Sequence, residues 1–514
     1  MALTEEQSLV FTYYFQGGHE LRTLIAPAGC GKTFVIKAIS ESLQIRVICP
    51  THKAASIFKR DSIGATTIHC FLSSEIQYDE DGKEYYDFNI KKAVDKLTKI
   101  YHNRATKSRL GKKTDMALWT EKNTLSMYLD LIVVDECSML DEKIVKHLLE
   151  FSKETNIPML FSGDDCQLPP IKETKSKIFE IDHFPFKLTK NMRSQEADDY
   201  KYVLAARDRV LHPGKGYFNI PKIDNDQVVD MFVRKYYEDS DDSDDDDDDI
   251  VVDEVDYGKK IQTVILSYTN RRKNYFNQLI RQNLFGTIGN RLEKVYPDEL
   301  FIFQGYYCRM EKKKNNDGSI WYDYITYHTS DVIKIKSVRQ IVKQVDYKPL
   351  NCMHNNTPSH NCVIPSCSLC GLLAHKTKGF SIKFYHCVDH KKTEWFIPYT
   401  TEDEKLVDEI LHHWKSYLKQ TYKKRLLTGK KEEDPLWKEE RKRAWAEYKD
   451  FETTHKPPLS YIYAITIHQS QGSEWKHVFV DWSSIQYCKI EQSLKDKLIY
   501  TAFSRMRETL TVIR

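Results

Sequence analysis

Short, wholly apolar runs recur along this chain. Each breaks off at a polar or glycine-bearing turn and is followed by a stretch with apolar residues at helical spacing. Leu24 and Ile25 run into Ala26-Pro27-Ala28-Gly29-Cys30-Gly31-Lys32-Thr33, after which Val35, Ile36, Ala38, Ile39 and Leu43 keep a helical period. Arg46–Cys49 ends at Pro50-Thr51-His52-Lys53-Ala54-Ala55, Leu131–Val134 at Asp135-Glu136, and Met159–Phe161 at Ser162-Gly163-Asp164-Asp165-Cys166-Gln167-Leu168-Pro169-Pro170. Runs apolar on both faces mark parallel strands covered by helices, so the pattern predicts an α/β fold. Residues 1–74 and 125–184 read as one parallel-sheet domain. A second is read over 185–309 and 458–514. It starts near Phe186, includes Thr263–Ser267 before Tyr268-Thr269-Asn270 and a helix, and resumes from Ala464.

Two stretches break the alternation. Over 75–124, Glu75–Tyr78 and Lys83–Phe88 flank Asp79-Glu80-Asp81-Gly82, a turn sequence that predicts a β-hairpin, followed by basic Lys91–Lys113. Over 310–457, short aromatic and β-branched runs predict a small β-barrel with two helices. The first helix opens with a capping box at Thr401–Glu404, and the second starts at Asp434-Pro435. At the N-terminus, Thr4 caps a helix that carries Gln7 on its first turns.

Composition narrows the class. The chain has 514 residues, of which 41% are hydrophobic and 29% charged, without an apolar run approaching the roughly 18–20 residues of a membrane span. Scattered cysteines inside apolar patterns suit buried thiols, so the expectation is a reducing, intracellular compartment, nucleus or cytoplasm (a viral replication site included). The net charge of +3 hides Glu238–Asp249, where ten of twelve residues are acidic. Read as part of a disordered surface loop over 238–256, that run leaves a basic remainder suited to polyphosphate.

The strand–turn–helix at residues 21–43 is a phosphate-binding loop: backbone N–H groups over Ala28, Gly29, Cys30 and Gly31 and the helix N-terminus face phosphate oxygens. Lys32 would reach the β- and γ-phosphates and the Thr33 hydroxyl would hold Mg²⁺. Ala26 stands where the strict motif has its first glycine. Nucleotide hydrolysis further needs a metal-holding carboxylate, a group to orient water and cations at the γ-phosphate. Asp135 (Mg²⁺), Glu136 (water) and Gln167 (γ-phosphate) fit, with Arg193 and Arg505 as candidate arginine fingers. Cys367-x-x-Cys370 has metal-ligand spacing, and with Cys352 and Cys362 it makes a candidate zinc site. The remaining spacings match no standard finger, and unpaired loop thiols stay open as the alternative.

Taken together and in order, these stretches resemble a superfamily 1 DNA helicase of the RecD-like, Dda-like and PIF-type branch. The matching stretches are Ala26–Thr33 (motif I), Pro50–Ala55 (Ia), Thr66–His69 (Ib), Asp135–Met139 (II) and Gly163–Pro170 (III). Leu188–Arg193 (IV), Tyr268–Asn270, Ala464–Trp475 (V) and Tyr500–Arg505 (VI) follow. The resemblance implies two RecA-like domains with ATP between them. Gln7 would read adenine, and Gly472, Glu474, Arg193 and Arg505 would approach from the second domain. Single-stranded DNA would lie across both domains, on Thr51, His52, Lys53 and His69 and on Thr269, Asn270, Thr466, His468 and Ser470. Tyr85 and Tyr86 of the hairpin would stack on the separating base pair; an ordinary edge hairpin is the alternative. The branch moves 5′→3′, the polarity the resemblance implies here; the expectation is a monomeric motor on single-stranded and forked DNA, with replication or recombination proteins as candidate partners and replication, repair or recombination as candidate pathways. An RNA helicase, or a nucleic-acid-stimulated NTPase without strong unwinding, would share the cleft. A small-acceptor kinase leaves Arg505 and Ala464–Trp475 unexplained, and a non-catalytic DNA-binding subunit leaves Lys32, Asp135 and Glu136 unexplained.

Overall fold

The computed structural model describes residues 3–18, 20–73, 75–78, 84–108, 125, 128–182, 184–192, 198–214, 220–241, 261–286, 292–305, 307–314, 320–345, 351–352, 357–358, 380–427 and 435–514. The first domain is built on strands Arg22–Ile25 (β1), Ile45–Cys49 (β2), Ala65–Thr67 (β3), Leu131–Val134 (β6), Met159–Gly163 (β7) and Phe186–Lys187 (β8), interrupted by the hairpin Glu75–Tyr78 (β4) and Glu84–Asp87 (β5). They form a parallel sheet in the order β3-β2-β6-β7-β1-β8. Strand alternation divides the buried residues between two faces. Leu131, Val133 and Leu160 pack with Val10, Val35, Ile39 and Phe58 on one side, while Ile132, Val134 and Phe161 pack with Phe71, Leu148 and Phe151 on the other. Because the strands are parallel, the segments after β1, β2, β6 and β7 all emerge at one edge.

The second domain opens with Lys222–Ile223 (β9) and Thr263–Ser267 (β10). The inserted strands follow: Leu300–Phe303 (β11), Tyr307–Lys314 (β12), Ile320–Tyr327 (β13), Val332–Val345 (β14), Asn351–Cys352 (β15), Thr357–Pro358 (β16), Phe380–Asp389 (β17), Glu394–Pro398 (β18) and Leu459–Tyr461 (β19). The domain closes with Ala464–Thr466 (β20), Trp475–Asp481 (β21) and Met506–Ile513 (β22), in a parallel sheet ordered β20-β10-β21-β22-β9.

Four boundaries differ from the sequence pattern. Phe186–Lys187, expected to open the second domain, pairs with β1 and extends the first sheet. The acidic run begins inside a helix, Asn225–Asp241, rather than in a loop, and Lys235 pairs with Glu238 there. The helix after β18 takes its capping box from Thr400 and Asp403, one residue earlier than predicted. The insertion is wider than 310–457: β11 and β19 belong to its antiparallel sheet β18-β17-β14-β11-β19. Aromatic content explains that sheet, since Phe303, Tyr307, Tyr327, Tyr385 and Trp395 fill one core.

The buried Asp389 carboxylate organises this core, accepting from the Tyr327 hydroxyl, the Trp395 Nε1–H at 3.1 Å and the Thr393 backbone N–H at 2.8 Å. A buried Arg281–Glu299 pair ties the insertion to the helix Asn270–Phe285. The helices Thr401–Leu427 and Pro435–His455 cover β17 with Val407, Ile410, Trp445 and Tyr448. Pro435–His455 also lies against β4, so the insertion reaches from the second domain to the hairpin of the first. No helix among the described residues is long and apolar enough to cross a membrane.

His455 packs its ring against Phe451 and Phe384, and burial pushes it down to about 4 from the ordinary 6.5. Between those values the unfolded chain binds more protons than the folded one. The contribution of His455 is therefore fully present above about pH 6.5 and is lost as the pH falls toward 4. In His455→Leu, the acid limb of a urea-midpoint profile should flatten over that window; an unchanged limb would assign the limb to other groups.

Candidate nucleotide site and strand path

The phosphate loop follows β1 directly. Ala26 is fully buried and its N–H donates to the Gly163 carbonyl at 3.0 Å, continuing the β1–β7 ladder for one more bond. It is absent from the positive-φ positions, so the alanine costs the backbone nothing there. The left-handed positions are Gly29 (φ 83°) and Gly31 (φ 81°), the latter capping the helix Lys32–Ser42. Lys32 Nζ donates to the carbonyls of Ala26 at 2.9 Å and Pro27 at 3.3 Å, which holds the ammonium over the loop. Gln7 is buried against the same loop. Its Oε1 accepts from the Thr4 N–H, and its Nε2 donates to the Cys30 carbonyl at 3.5 Å. Its amide therefore links the N-terminal cap to the loop, and reading adenine would require that amide to turn.

Asp135 and Glu136 follow β6. Asp135 is buried, its Oδ1 lacks a hydrogen-bond partner among the described residues, and burial beside Glu136 pushes its carboxyl up to about 6. Glu136 has φ 55° and ψ 40°, a left-handed conformation that is uncommon for a non-glycine residue and concentrates at functional turns. Gly163 at the end of β7 makes room for this turn, because a Cβ there would lie 2.7 Å from Cys137 Sγ. Gln167 is buried, its Nε2 donating to Asp164 Oδ2 at 3.4 Å and its Oε1 lacking a partner among the described residues.

Residues after β8 return to the loop. The Met192 N–H donates to the Gly29 carbonyl at 2.8 Å and Asn191 Nδ2 to Ala28 O at 3.4 Å. Arg193, next in the chain, lies outside the described residues, as do the side chains of Tyr85, Cys352, Cys362, Cys367 and Cys370. Cys387, near those cysteines in sequence, is buried in the inserted core. Arg505 is buried in the second domain, donating to the carbonyls of Thr501 at 3.0 Å and Ser473 at 3.4 Å.

The two domains meet at the residues after β7. The Tyr500 hydroxyl donates to Asp164 Oδ2 at 2.6 Å, the Leu168 N–H to Thr501 Oγ1 at 3.1 Å, and Gln471 Nε2 to the Leu168 carbonyl at 3.4 Å. Asp164, Tyr500, Thr501 and Gln471 belong to the stretches singled out in the sequence, but nothing in their spacing predicts these pairings. Gly472 lies over the segment after β2: a Cβ on it would be 3.7 Å from Ala54 Cβ. Lys53 Nζ stands 5.2 Å above the Trp475 ring, while Glu474 is exposed.

Candidate strand contacts separate into kinds. Thr51 and Thr269 cap the helices His52–Arg60 and Asn270–Phe285, and Asn270 is exposed beside the second cap. His52 stacks on His328 with ring centres 3.4 Å apart. His69 lies 4.2 Å from Tyr86 and His468 lies 6.0 Å from Tyr268. Burial lowers all three histidines, His52 to about 4, so at neutral pH they present flat neutral rings and not cations. Thr466 and Ser470 differ from these in burial. Both are buried, the Thr466 hydroxyl accepting from the Gln469 N–H and the Ser470 hydroxyl donating to the Ile467 carbonyl. Both hydroxyls are thus engaged within one turn.

Gly31→Ala puts an alanine at φ 81° with its Cβ 2.5 Å from Gln7 Nε2, and should weaken nucleotide binding by about tenfold or more in a fluorescent-ATP titration. Ala26→Gly should leave that affinity within about threefold, because position 26 has ordinary backbone geometry.

Residues 2–210 match the model of the AAA domain, and residues 461–513 that of the UvrD-like helicase C-terminal domain. Uncharacterized protein R530 of Acanthamoeba polyphaga mimivirus is 23% identical over 538 residues, covering 96% of this chain and 95% of that protein. The ATP-dependent DNA helicase Pif1 of Campylobacter jejuni is 24% identical over 201 residues, 36% of this chain and 40% of that protein. Among solved structures, the Pif1 helicase from Bacteroides in complex with ADP-AlF3 and ssDNA aligns over all of this chain and 92% of that one, with 14% identity and a TM-score of 0.44. With both family models matched in the order in which the phosphate loop and Arg505 occur, the chain carries an AAA domain followed by a UvrD-like helicase C-terminal domain, the make-up of an ATP-dependent DNA helicase.

Proposed function

We propose that the protein uses ATP and Mg²⁺ to move 5′→3′ along single-stranded DNA as a monomer and to part duplex DNA ahead of it. One observation carries the reading: the segment after β7, beside the Asp135–Glu136 segment of the same parallel sheet, is joined to the helix Gln492–Phe503 that precedes Arg505 in a second parallel-sheet domain, through the Asp164–Tyr500 bond. A nucleotide between two such bodies can drive them together and release them. Thr33 and Asp135 would hold Mg²⁺, which when bound neutralises charge on the β- and γ-phosphates. The fit rests on Asp135 Oδ1, a buried oxygen with no hydrogen-bond partner among the described residues.

The chain's own groups supply the rest. Lys32 releases the loop carbonyls for phosphate oxygens, Glu136 orients water from its left-handed turn, and Gln167 turns its amide toward the γ-phosphate. Arg505, with Arg193, brings positive charge from the opposite side. Neutral rings at His52, His69 with Tyr86, and His468 suit base stacking, worth about 1–3 kcal/mol per base and tolerant of sequence. Lys53, Thr51, Thr269 and Asn270 suit the backbone. The direction of movement rests on the resemblance among motifs.

The test is ATP turnover with single-stranded DNA, single-stranded RNA or no polymer, followed by forked duplexes with one single-stranded tail at a time. Stimulation by DNA and unwinding that requires the 5′ tail are expected. Preference for RNA would favour the RNA-helicase alternative, and turnover indifferent to polymer would overturn the motor. Lys32→Ala should lower turnover by at least about a hundredfold while leaving DNA affinity within about threefold, since the ammonium acts on phosphates in the cleft.

A further inference from the structure

Asp164 accepts hydrogen bonds from side chains of both domains. It follows β7 and is fully buried. Its Oδ1 accepts from the Cys166 N–H at 3.1 Å, and its Oδ2 accepts both Gln167 Nε2 at 3.4 Å and the Tyr500 hydroxyl at 2.6 Å. Tyr500 is also fully buried. It lies near the end of the helix Gln492–Phe503, whose next residue, Thr501, accepts from the Leu168 N–H and whose Thr501 carbonyl accepts from Arg505 Nε. That helix is fixed from behind by the buried Arg209–Asp496 pair. Buried hydrogen bonds thus run from Gln167 through Asp164 to Tyr500, and the helix backbone continues to Thr501, whose carbonyl accepts from Arg505.

We infer that Asp164 and Tyr500 are positioning residues, a buried strut that couples the state of Gln167 in the first domain to the placement of Arg505 in the second. The inference deepens the motor reading and rests on it. Gln167 shares its acceptor oxygen with Tyr500. When the Gln167 amide turns to a γ-phosphate, Oδ2 is left to the tyrosine alone, and the short bond draws the Gln492–Phe503 helix and Arg505 with it. When the phosphate leaves, the amide competes again and the helix is free to retreat. The unequal lengths, 2.6 Å against 3.4 Å, fit this division: the hydroxyl is the tight donor and the amide the exchangeable one. Burial and the adjacent Asp164 also keep the Tyr500 hydroxyl protonated, and so a donor, throughout the working range.

The experiment uses the full chain with Tyr500→Phe, Asp164→Asn and both together. It measures kcat and KM for ATP on saturating single-stranded DNA, and DNA affinity with and without a β,γ-imido ATP analogue. Each single variant should lower kcat by about ten- to hundredfold, the scale of losing a charge-assisted buried hydrogen bond, with KM and nucleotide-free DNA affinity within about threefold. The factor by which the analogue shifts DNA affinity should fall toward one, and the double variant should be no worse than the worse single. Wild-type kcat and an intact analogue effect in either folded single variant would overturn the strut, as would additive losses in the double. Should Tyr500→Phe not fold, Asp164→Asn decides alone, by the same readouts. Wild-type turnover that ignores DNA would instead overturn the motor, leaving the kcat of the variants to decide the strut.

Discussion

A parallel sheet sends the carboxyl end of every strand to the same edge, and everything chemical in this molecule depends on that constraint. β1 delivers the phosphate loop, β2 delivers Thr51 and His52, β6 delivers Asp135 and Glu136, and β7 delivers Asp164 and Gln167. These residues are spread over more than a hundred positions of chain, yet the topology gathers them without a dedicated contact. The second sheet meets this edge with residues that precede its own strands, Gln471 before β21 and Tyr500 and Thr501 before β22.

Buried charge is handled in opposite ways on the two sides of that edge. Asp164 is saturated by donors from its own loop and from the second domain, which makes it a fixed part of the frame. Asp135 is also buried but keeps an oxygen without a partner among the described residues, and its carboxyl is pushed up to about 6 by burial and by Glu136. A satisfied buried carboxylate holds structure, whereas an unsatisfied one is ready for a ligand. The left-handed Glu136 and the close approach of Gly163 to Cys137 belong to the same turn, where local geometry serves the site and not the fold.

The insertion works by span. Its aromatic core and the Asp389 hub make it a separate body, the Arg281–Glu299 pair roots it in the second domain, and two contacts carry it to the first. His328 stacks on His52, and the helix Pro435–His455 lies along the hairpin strand β4. Relative motion of the two parallel-sheet domains must therefore be accommodated at these contacts as well as at the cleft.

The sequence by itself determined what is local and periodic. Apolar runs on both faces specify buried parallel strands, the Gly29 and Gly31 spacing specifies a loop that needs left-handed backbone, and the Asp-Gly turn specifies the hairpin, because each is set by a few neighbouring residues. Ala26 looked like a defect in the motif. It is harmless because the position is an ordinary buried strand extension, a fact carried by φ and not by residue type. Tertiary structure alone decided which strand joins which sheet, as with Phe186–Lys187 beside β1, and which polar residues are buried, as with Thr466 and Ser470. It also decided the Asp164–Tyr500 bond, whose partners stand 336 positions apart. Their meeting depends on how two separately folded sheets are set against each other, which no spacing along the chain encodes.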